Sequence, residues 1–63
     1  MEGTIKWYDP EKRFGFIVGE DGKEYFVHKS ELPEGVVPTE GQAVSFEVVQ
    51  AEQGTQAKGV QML

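Results

Sequence analysis

Two short runs decide how this chain folds: KRFGFI at residues 12–17 and YFVH at residues 25–28. Both carry aromatic rings at every second position, and successive side chains of a β-strand point to opposite faces. If the two strands pair, four flat rings share one face of the sheet: Phe14, Phe16, Phe26 and His28. Such rings, with Lys12 and Arg13 at their edge, offer an unpaired nucleotide both a stacking surface and a partner for its phosphate.

Turn signals divide the rest of the chain into short strands. Gly, Pro and Asp-Gly recur about every ten residues, and no segment keeps a helical period. We predict five strands, at residues 2–8, 14–18, 24–28, 43–49 and 56–62. The longest connection, at residues 29–42, is expected to begin with a 3₁₀ turn at 30–32, and residues 53–55 are expected to close the last hairpin. Five short strands in a small domain favour an all-β fold in which one curved sheet closes into a barrel.

The alternation of residues also separates the inner face of this barrel from its outer face. The predicted core comprises Ile5, Ile17, Tyr25, Val27, Val44, Phe46, Val48 and Val60. If Ile17 points inward, Phe14 and Phe16 point outward, because they occupy the alternate positions of the same strand. Large exposed rings reduce solubility, so their exposure indicates a binding surface.

Size and composition exclude several classes of protein. A chain of 63 residues has room for one small domain, 1–63, and it contains no cysteine for a disulfide, a thiolate zinc site or a thiol nucleophile. No run approaches the roughly 18 apolar residues of a membrane span, and the N-terminus lacks an apolar signal segment. We therefore expect a soluble, cytoplasmic protein with no membrane partner.

The net charge of −5 argues at first against a polyanionic partner, but the charges are unevenly distributed. Residues 1–30 hold five of the six bases and six of the seven aromatic residues, whereas residues 31–63 hold one base against five acids. The positive charge therefore coincides with the aromatic runs. A local basic and aromatic face can bind nucleic acid, although long-range electrostatic steering should be weak.

At these positions the chain resembles the cold-shock domain family over essentially its whole length. Five matching segments occur in order, at residues 3–8, 12–17, 25–30, 40–48 and 54–57. The resemblance implies a five-stranded antiparallel oligonucleotide-binding (OB-fold) barrel that binds single-stranded RNA and single-stranded DNA with little sequence specificity. It also implies an RNA chaperone, often active when temperature falls, rather than an enzyme. We expect a monomer that needs no cofactor and no metal.

Carried onto matching positions, the resemblance implies this nucleic-acid-binding set: Lys6, Trp7, Lys12, Phe14, Phe16, Phe26 and His28. Tyr8 joins the set at a position where the family usually has Phe. Arg13 and Lys29 join it on their charge alone, because the family usually has Gly and a stacking Phe at those two positions.

Other departures lie at the edge of this set. Asp9 replaces a common Asn, Val36 stands where the long loop usually exposes a Phe, and Gln53 replaces a frequent basic residue. The predicted site thus keeps its central rings, loses peripheral rings and gains two charges. We expect binding that is retained but weaker and more sensitive to salt than in fuller versions of the site.

Each of these features also has a plainer interpretation. The aromatic runs could be ordinary core strands, Trp7 could be a buried anchor, and His28 could be a surface histidine. A second possible function is protein–protein contact through a degenerate cold-shock-like site, which the net acidity and Lys29 both favour.

Enzymatic chemistry finds little support in the sequence. Four carboxylates are the candidates for hydrolase or metal chemistry: Glu11, Glu20, Asp21 and Glu24. They lie in or beside predicted turns, where acids usually face water. The sequence contains no Ser-His-Asp order, zinc-ligand spacing or phosphate-cradling Gly loop.

Overall fold

Five β-strands follow one another in the computed structural model, which describes residues 1–52 and 54–63. β1 covers Glu2–Asp9, β2 covers Phe14–Gly19, β3 covers Glu24–His28, β4 covers Ala43–Ala51 and β5 covers Gly54–Met62, with a 3₁₀ helix at Lys29–Glu31. The five predicted strands are confirmed, and their ends differ from the prediction by two residues at most. Gln53, predicted in the last turn, lies outside the described residues. No helix in the described ranges is long and apolar enough to cross a membrane.

The strands close a barrel in the order β1-β2-β3-β5-β4. β1 pairs antiparallel with β2 and β4, and the pairs β2–β3 and β4–β5 are antiparallel as well. The closing contact between β3 and β5 is parallel and joins Phe26 to Gln56. The predicted all-β five-stranded barrel is confirmed, and the described strands pair antiparallel except at this closing contact.

One hydrophobic cluster fills the barrel. Its buried members are Ile5, Ile17, Tyr25, Val27, Leu32, Val44, Phe46, Ala57 and Val60. Val48 was predicted to belong to this core, but 40% of its surface is exposed. β1 pairs with β4 only at residues 43–45 of β4, so the later part of β4 has a neighbouring strand on one side alone. Val48 lies in that later part, which explains why the prediction was wrong.

The prediction also missed Ala57, which is buried because the pairing of β4 and β5 is irregular. The register shifts between Ser45 and Glu47, and Gly59 adopts a φ of 60° in the left-handed region opposite this shift. The shift changes the alternation along β5, so Ala57 and Val60 are both buried although they are three positions apart.

Candidate nucleic-acid interface

The outer faces of β2 and β3 carry the aromatic residues of the predicted site. Phe16 lies directly opposite Phe26, and Phe14 lies opposite His28. The alternate position between the two phenylalanines of β2 is Gly15, where a Cβ atom would lie 2.3 Å from the carbonyl oxygen of Trp7. Gly15 therefore allows β1 to approach β2 closely, and this approach brings Trp7 beside the phenylalanine rings.

Trp7 and the three phenylalanines form a closed set of ring contacts. Ring centroids are 5.6 Å apart for Trp7–Phe14, 5.5 Å for Trp7–Phe16, 5.5 Å for Phe14–Phe26 and 5.8 Å for Phe16–Phe26. We call these four side chains the aromatic platform. Aromatic pairs contribute about 0.5–1.5 kcal/mol each beyond the area that they bury. The platform is therefore held in shape by its own contacts, and all four side chains remain half-buried.

A β-bulge at Lys6 turns Trp7 towards the platform. β1 pairs with β2 through Ile5 and Ile17 and then through Trp7 and Phe16, so Lys6 is an extra residue between two successive pairs. Simple alternation from the buried Ile5 would have turned Trp7 inward. No signal in the sequence located this bulge, although the resemblance alone had placed Trp7 in the site.

Tyr8 does not join the platform, although the predicted binding set included it. After the bulge, Tyr8 lies opposite Gly15 on the side of the sheet that faces the interior. Its half-buried ring packs against the hydrophobic core. The physical reason is the same extra residue at Lys6, because turning Trp7 outward turns its neighbour inward.

Lys6 forms an ion pair at the edge of the platform. Its Nζ atom lies 2.8 Å from Oε2 of Glu24, and the two side chains are 46% and 51% exposed. Exposed pairs of this kind contribute about 0–1 kcal/mol. A nucleic acid could therefore take Lys6 from Glu24 at small cost. From the sequence alone, Glu24 is only an acid beside a predicted turn.

A shallow cavity of about 320 Å³ extends the surface beyond Phe16 and Phe26. Its other lining residues are Glu24, Gly54, Thr55 and Gln56. Carboxylate, hydroxyl and amide groups can form hydrogen bonds with the edges of bases. Thr55 and Gln56 are absent from the predicted binding set, because only the closing contact between β3 and β5 brings them beside the rings.

His28 lies at the other end of the platform and caps the 3₁₀ helix. The backbone N–H of Ser30 donates to Nδ1 of His28 at 3.1 Å, and Oγ of Ser30 lies 3.0 Å from the same nitrogen. Because Nδ1 accepts this hydrogen bond, the neutral ring carries its proton on Nε2. The exposed His28 side chain can therefore cap the helix and still present an N–H donor to a base.

The turn after β1 and the start of the 3₁₀ helix place three further cations at this end. The side chain of Asp9 accepts the backbone N–H of Lys12 at 3.3 Å, and its carbonyl oxygen accepts the N–H of Arg13 at 2.8 Å. The carbonyl oxygen of Arg13 accepts the N–H of Lys29 at 2.9 Å. The side chains of Lys12, Arg13 and Lys29 are exposed, and none forms an ion pair with another described residue.

Among the described residues, the one titratable pair with clearly shifted pKa values lies away from the platform. The Tyr25 hydroxyl donates a hydrogen bond to Oδ2 of Asp21 at 2.5 Å. This bond, helped by the backbone N–H of Lys23, lowers the pKa of Asp21, and it also raises the pKa of Tyr25. Because Tyr25 belongs to the core, the pair ties the β2–β3 hairpin to the barrel. The described residues contain no group of three His, Cys, Asp or Glu placed to hold a metal ion.

Comparison with known proteins agrees with this geometry. The family model of the 'Cold-shock' DNA-binding domain matches residues 1–63. Cold shock protein CspC of Bacillus subtilis is 47% identical over 62 residues, which are 95% of this chain and 94% of that protein. Cold shock protein 2 of Lactiplantibacillus plantarum is 46% identical, covering 94% of this chain and 92% of that protein. Probable cold shock protein A of Mycolicibacterium smegmatis is also 46% identical, covering 98% and 97%. This chain therefore belongs to the cold-shock domain family, whose members bind nucleic acids and are not enzymes.

Proposed function

We propose that this protein binds single-stranded RNA and DNA with low sequence specificity and acts as an RNA chaperone that keeps weak secondary structure open. The observation that carries this proposal is the aromatic platform, in which four rings contact one another on the outer face of the barrel. A single strand presents the faces of its bases, whereas a duplex hides them within its own stack. A surface of half-buried rings therefore favours single strands.

The proposed roles follow the position of each side chain. Trp7, Phe14, Phe16 and Phe26 stack on bases, and the Nε2 N–H of His28 donates to a base edge. Lys6, Lys12, Arg13 and Lys29 contact phosphates or base edges around the platform. Stacking is tolerant of sequence because every base has an aromatic face, which supports the low specificity.

The proposed mechanism is a competition for bases. Stacking on an aromatic side chain contributes about 1–3 kcal/mol per base, and a step of duplex stacking is worth about 1.4 kcal/mol on average. Binding of a few bases thus offsets the opening of a few steps, so a weak hairpin is held open without ATP. A small, preformed site with few ionic contacts also releases its strand quickly, which a chaperone requires.

We further propose that residues 1–63 act as one domain and as a cytoplasmic monomer. The support for a monomer is the closed barrel, because closure leaves no strand edge unpaired along its whole length, and such edges are where sheets otherwise associate. Sedimentation at concentrations spanning those of the binding assays tests the proposal, and a concentration-dependent dimer would contradict it.

Fluorescence titration tests the binding proposal directly. Trp7 is the one tryptophan of the chain, so its emission reports on the platform. Oligo-dT added at low salt should quench this emission, and a duplex of equal length should quench it far less. An equal response to both, or no response to either, would remove the support for single-strand binding. A titration without response would favour the alternative that this face serves protein contacts.

Chaperone activity needs its own assay. Two RNA hairpins with the same loop and labelled ends, one with a short A-U stem and one with a long G-C stem, measure opening by loss of energy transfer. Saturating protein should open the weak hairpin without ATP and leave the strong one closed. Binding to single strands without opening the weak hairpin would limit the function to single-strand binding.

A further inference from the structure

We propose that Arg13 and Lys29 together hold one backbone phosphate of the bound strand, in a cavity at the His28 end of the platform. This inference rests on the proposed single-strand binding and assigns a specific ligand group to one part of it. It concerns two residues at which this chain departs from the family it resembles.

The cavity measures about 540 Å³ and is distinct from the cavity beyond Phe16 and Phe26. Arg13, His28 and Lys29 line one part of it, and the loop at residues 32–37 lines much of the rest. Its volume lies within the range of about 300–1,000 Å³ typical of ligand sites. A strand that stacks on Phe14 and reaches His28 would therefore enter this cavity next, because Phe14 and His28 are cross-strand neighbours.

The backbone of Arg13 adopts a left-handed conformation at the end of the turn after β1, where its N–H donates to the carbonyl oxygen of Asp9 at 2.8 Å. Arg13 has a φ of 65°, and among the described residues it is the one non-glycine residue with positive φ. This region is unfavourable for a residue with a Cβ atom, and glycine occupies it without that cost. The Arg13 guanidinium forms no ion pair or hydrogen bond with another described residue. Strain of this kind concentrates at ligand sites, where the side chain acts on something outside the fold.

Lys29 is fixed beside Arg13 through the backbone. Its N–H donates to the Arg13 carbonyl oxygen at 2.9 Å, so the two side chains leave from adjacent points and line the same cavity. Glu34 also lines the cavity but pairs with neither cation, which leaves an excess of one positive charge among the charged lining residues. Two like charges on one wall repel each other, and an anion between them relieves that repulsion.

The chemistry of the two side chains indicates a phosphate rather than a base. Arginine offers a planar fork of donors that matches phosphate oxygens, and lysine adds a compact charge. The Lys29 ammonium is a compact charge and has no flat face on which a base could stack. One phosphate shared by both cations is the arrangement that their adjacent backbones favour.

Four proteins test the proposal: the parent, Arg13→Gly, Lys29→Ala and the double variant. The ligand is oligo-dT with hydroxyl ends, so any phosphate effect comes from the backbone of the strand. Each single variant should weaken binding about tenfold at low salt. Each should flatten the log–log salt slope by about 0.7, and the double variant should flatten it by about 0.7 as well, because the same phosphate is lost. Lys58→Ala, which removes an exposed cation of β5, is the matched charge control and should leave the slope unchanged.

Stability measurements separate this effect from misfolding. Arg13→Gly relieves the left-handed strain, so its melting temperature should not fall and should rise by a few degrees while its affinity drops. Opposite signs for stability and affinity exclude damage to the fold as the cause of weaker binding.

Neutral methylphosphonate linkages then locate the phosphate. A methylphosphonate at one position of the oligonucleotide should weaken binding to the parent. The same substitution should have no effect on binding to either single variant. Three results would overturn the inference: unchanged salt slopes, a slope loss of about 1.4 in the double variant, or the same linkage dependence in the parent and the variants. If the parent bound no single strand at all, the proposed function itself would fail, and this result is separate from the other three.

Discussion

Replacement of Phe16 gives the sharpest test of the platform, because this ring belongs to the platform and also borders the cavity beyond it. Phe16 contacts Trp7 with ring centroids 5.5 Å apart and Phe26 at 5.8 Å, and it also borders the cavity beyond the rings. Phe16→Ala therefore removes one stacking surface and two aromatic pairs at once. Phe16→Leu removes the flat ring but retains most of the apolar volume, and thus separates stacking from packing.

The expected magnitudes follow from these contacts. Phe16→Ala should lower the free energy of unfolding by less than replacement of a buried phenylalanine does, because Phe16 is only half-buried, and the loss of its two ring pairs alone accounts for about 1–3 kcal/mol. Loss of one stacked base should weaken binding by about 1–3 kcal/mol, which is about 5-fold to 150-fold in Kd. Phe16→Leu should weaken binding by a similar factor, while its unfolding free energy falls by less than about 1.5 kcal/mol.

A buried phenylalanine provides the control for stability. Phe46 is 3% exposed and packs against Tyr25 with ring centroids 5.3 Å apart. Phe46→Ala should lower the free energy of unfolding by about 3–5 kcal/mol, enough to unfold much of a domain this small. Urea unfolding followed by circular dichroism measures stability, and anisotropy of a labelled oligo-dT measures binding without relying on Trp7 emission.

Two results would refute the assignment of Phe16 to the binding surface. If Phe16→Leu bound the single strand as tightly as the parent, no base would stack on this ring. If Phe16→Ala lost as much stability as Phe46→Ala, the ring would belong to the core, and weaker binding would only report a damaged fold.

Three further predictions concern the surface charges and the core. The folded-state pKa of Asp21 lies below its ordinary value of 3.8 because the Tyr25 hydroxyl donates a hydrogen bond to its carboxylate. The pair therefore stabilises the fold above pH 3.8, and this contribution is lost as the pH falls through the folded-state pKa. The free energy of unfolding, measured at a series of acid pH values, should therefore fall less steeply below about pH 4 in Asp21→Asn than in the parent. Equal pH dependence in the two proteins would contradict the linkage. Glu24→Gln frees Lys6 from its ion pair, so single-strand binding at low salt should tighten while the unfolding free energy changes by less than about 1 kcal/mol; weaker binding would instead assign Glu24 itself to a base edge. Val48→Ala should lower the unfolding free energy by less than about 1 kcal/mol because Val48 is 40% exposed, and a loss typical of a core valine would show that it is buried in solution.

The central part of the site could be predicted from sequence because its geometry is local. Phe14 and Phe16 lie two residues apart on one strand, and a hairpin with a strong Asp-Gly turn returns Phe26 to face Phe16. Period-two alternation and a short hairpin fix these neighbours whatever the rest of the chain does. The same local rules identified most of the core and the five strands.

Features at the edge of the site could not be predicted in this way, because they depend on contacts between distant segments. Thr55 and Gln56 reach the platform only where β5 closes the barrel against β3. Glu24 reaches Lys6 across 18 positions of the sequence, and nothing in either local pattern selects that partner. The sequence does show the charge of Arg13, but the left-handed backbone that holds this charge beside Lys29 is a property of the folded turn.

By itself, then, the sequence determines an all-β barrel, the inward and outward faces of β2 and β3, and a ring-bearing surface with local positive charge. The tertiary structure decides the position of Trp7, the inward turn of Tyr8 and the exposure of Val48. The physical reason is that alternation holds only while strand pairing is regular and a neighbour is present on both sides. The bulge at Lys6 breaks the first condition and the end of the β1–β4 pairing breaks the second.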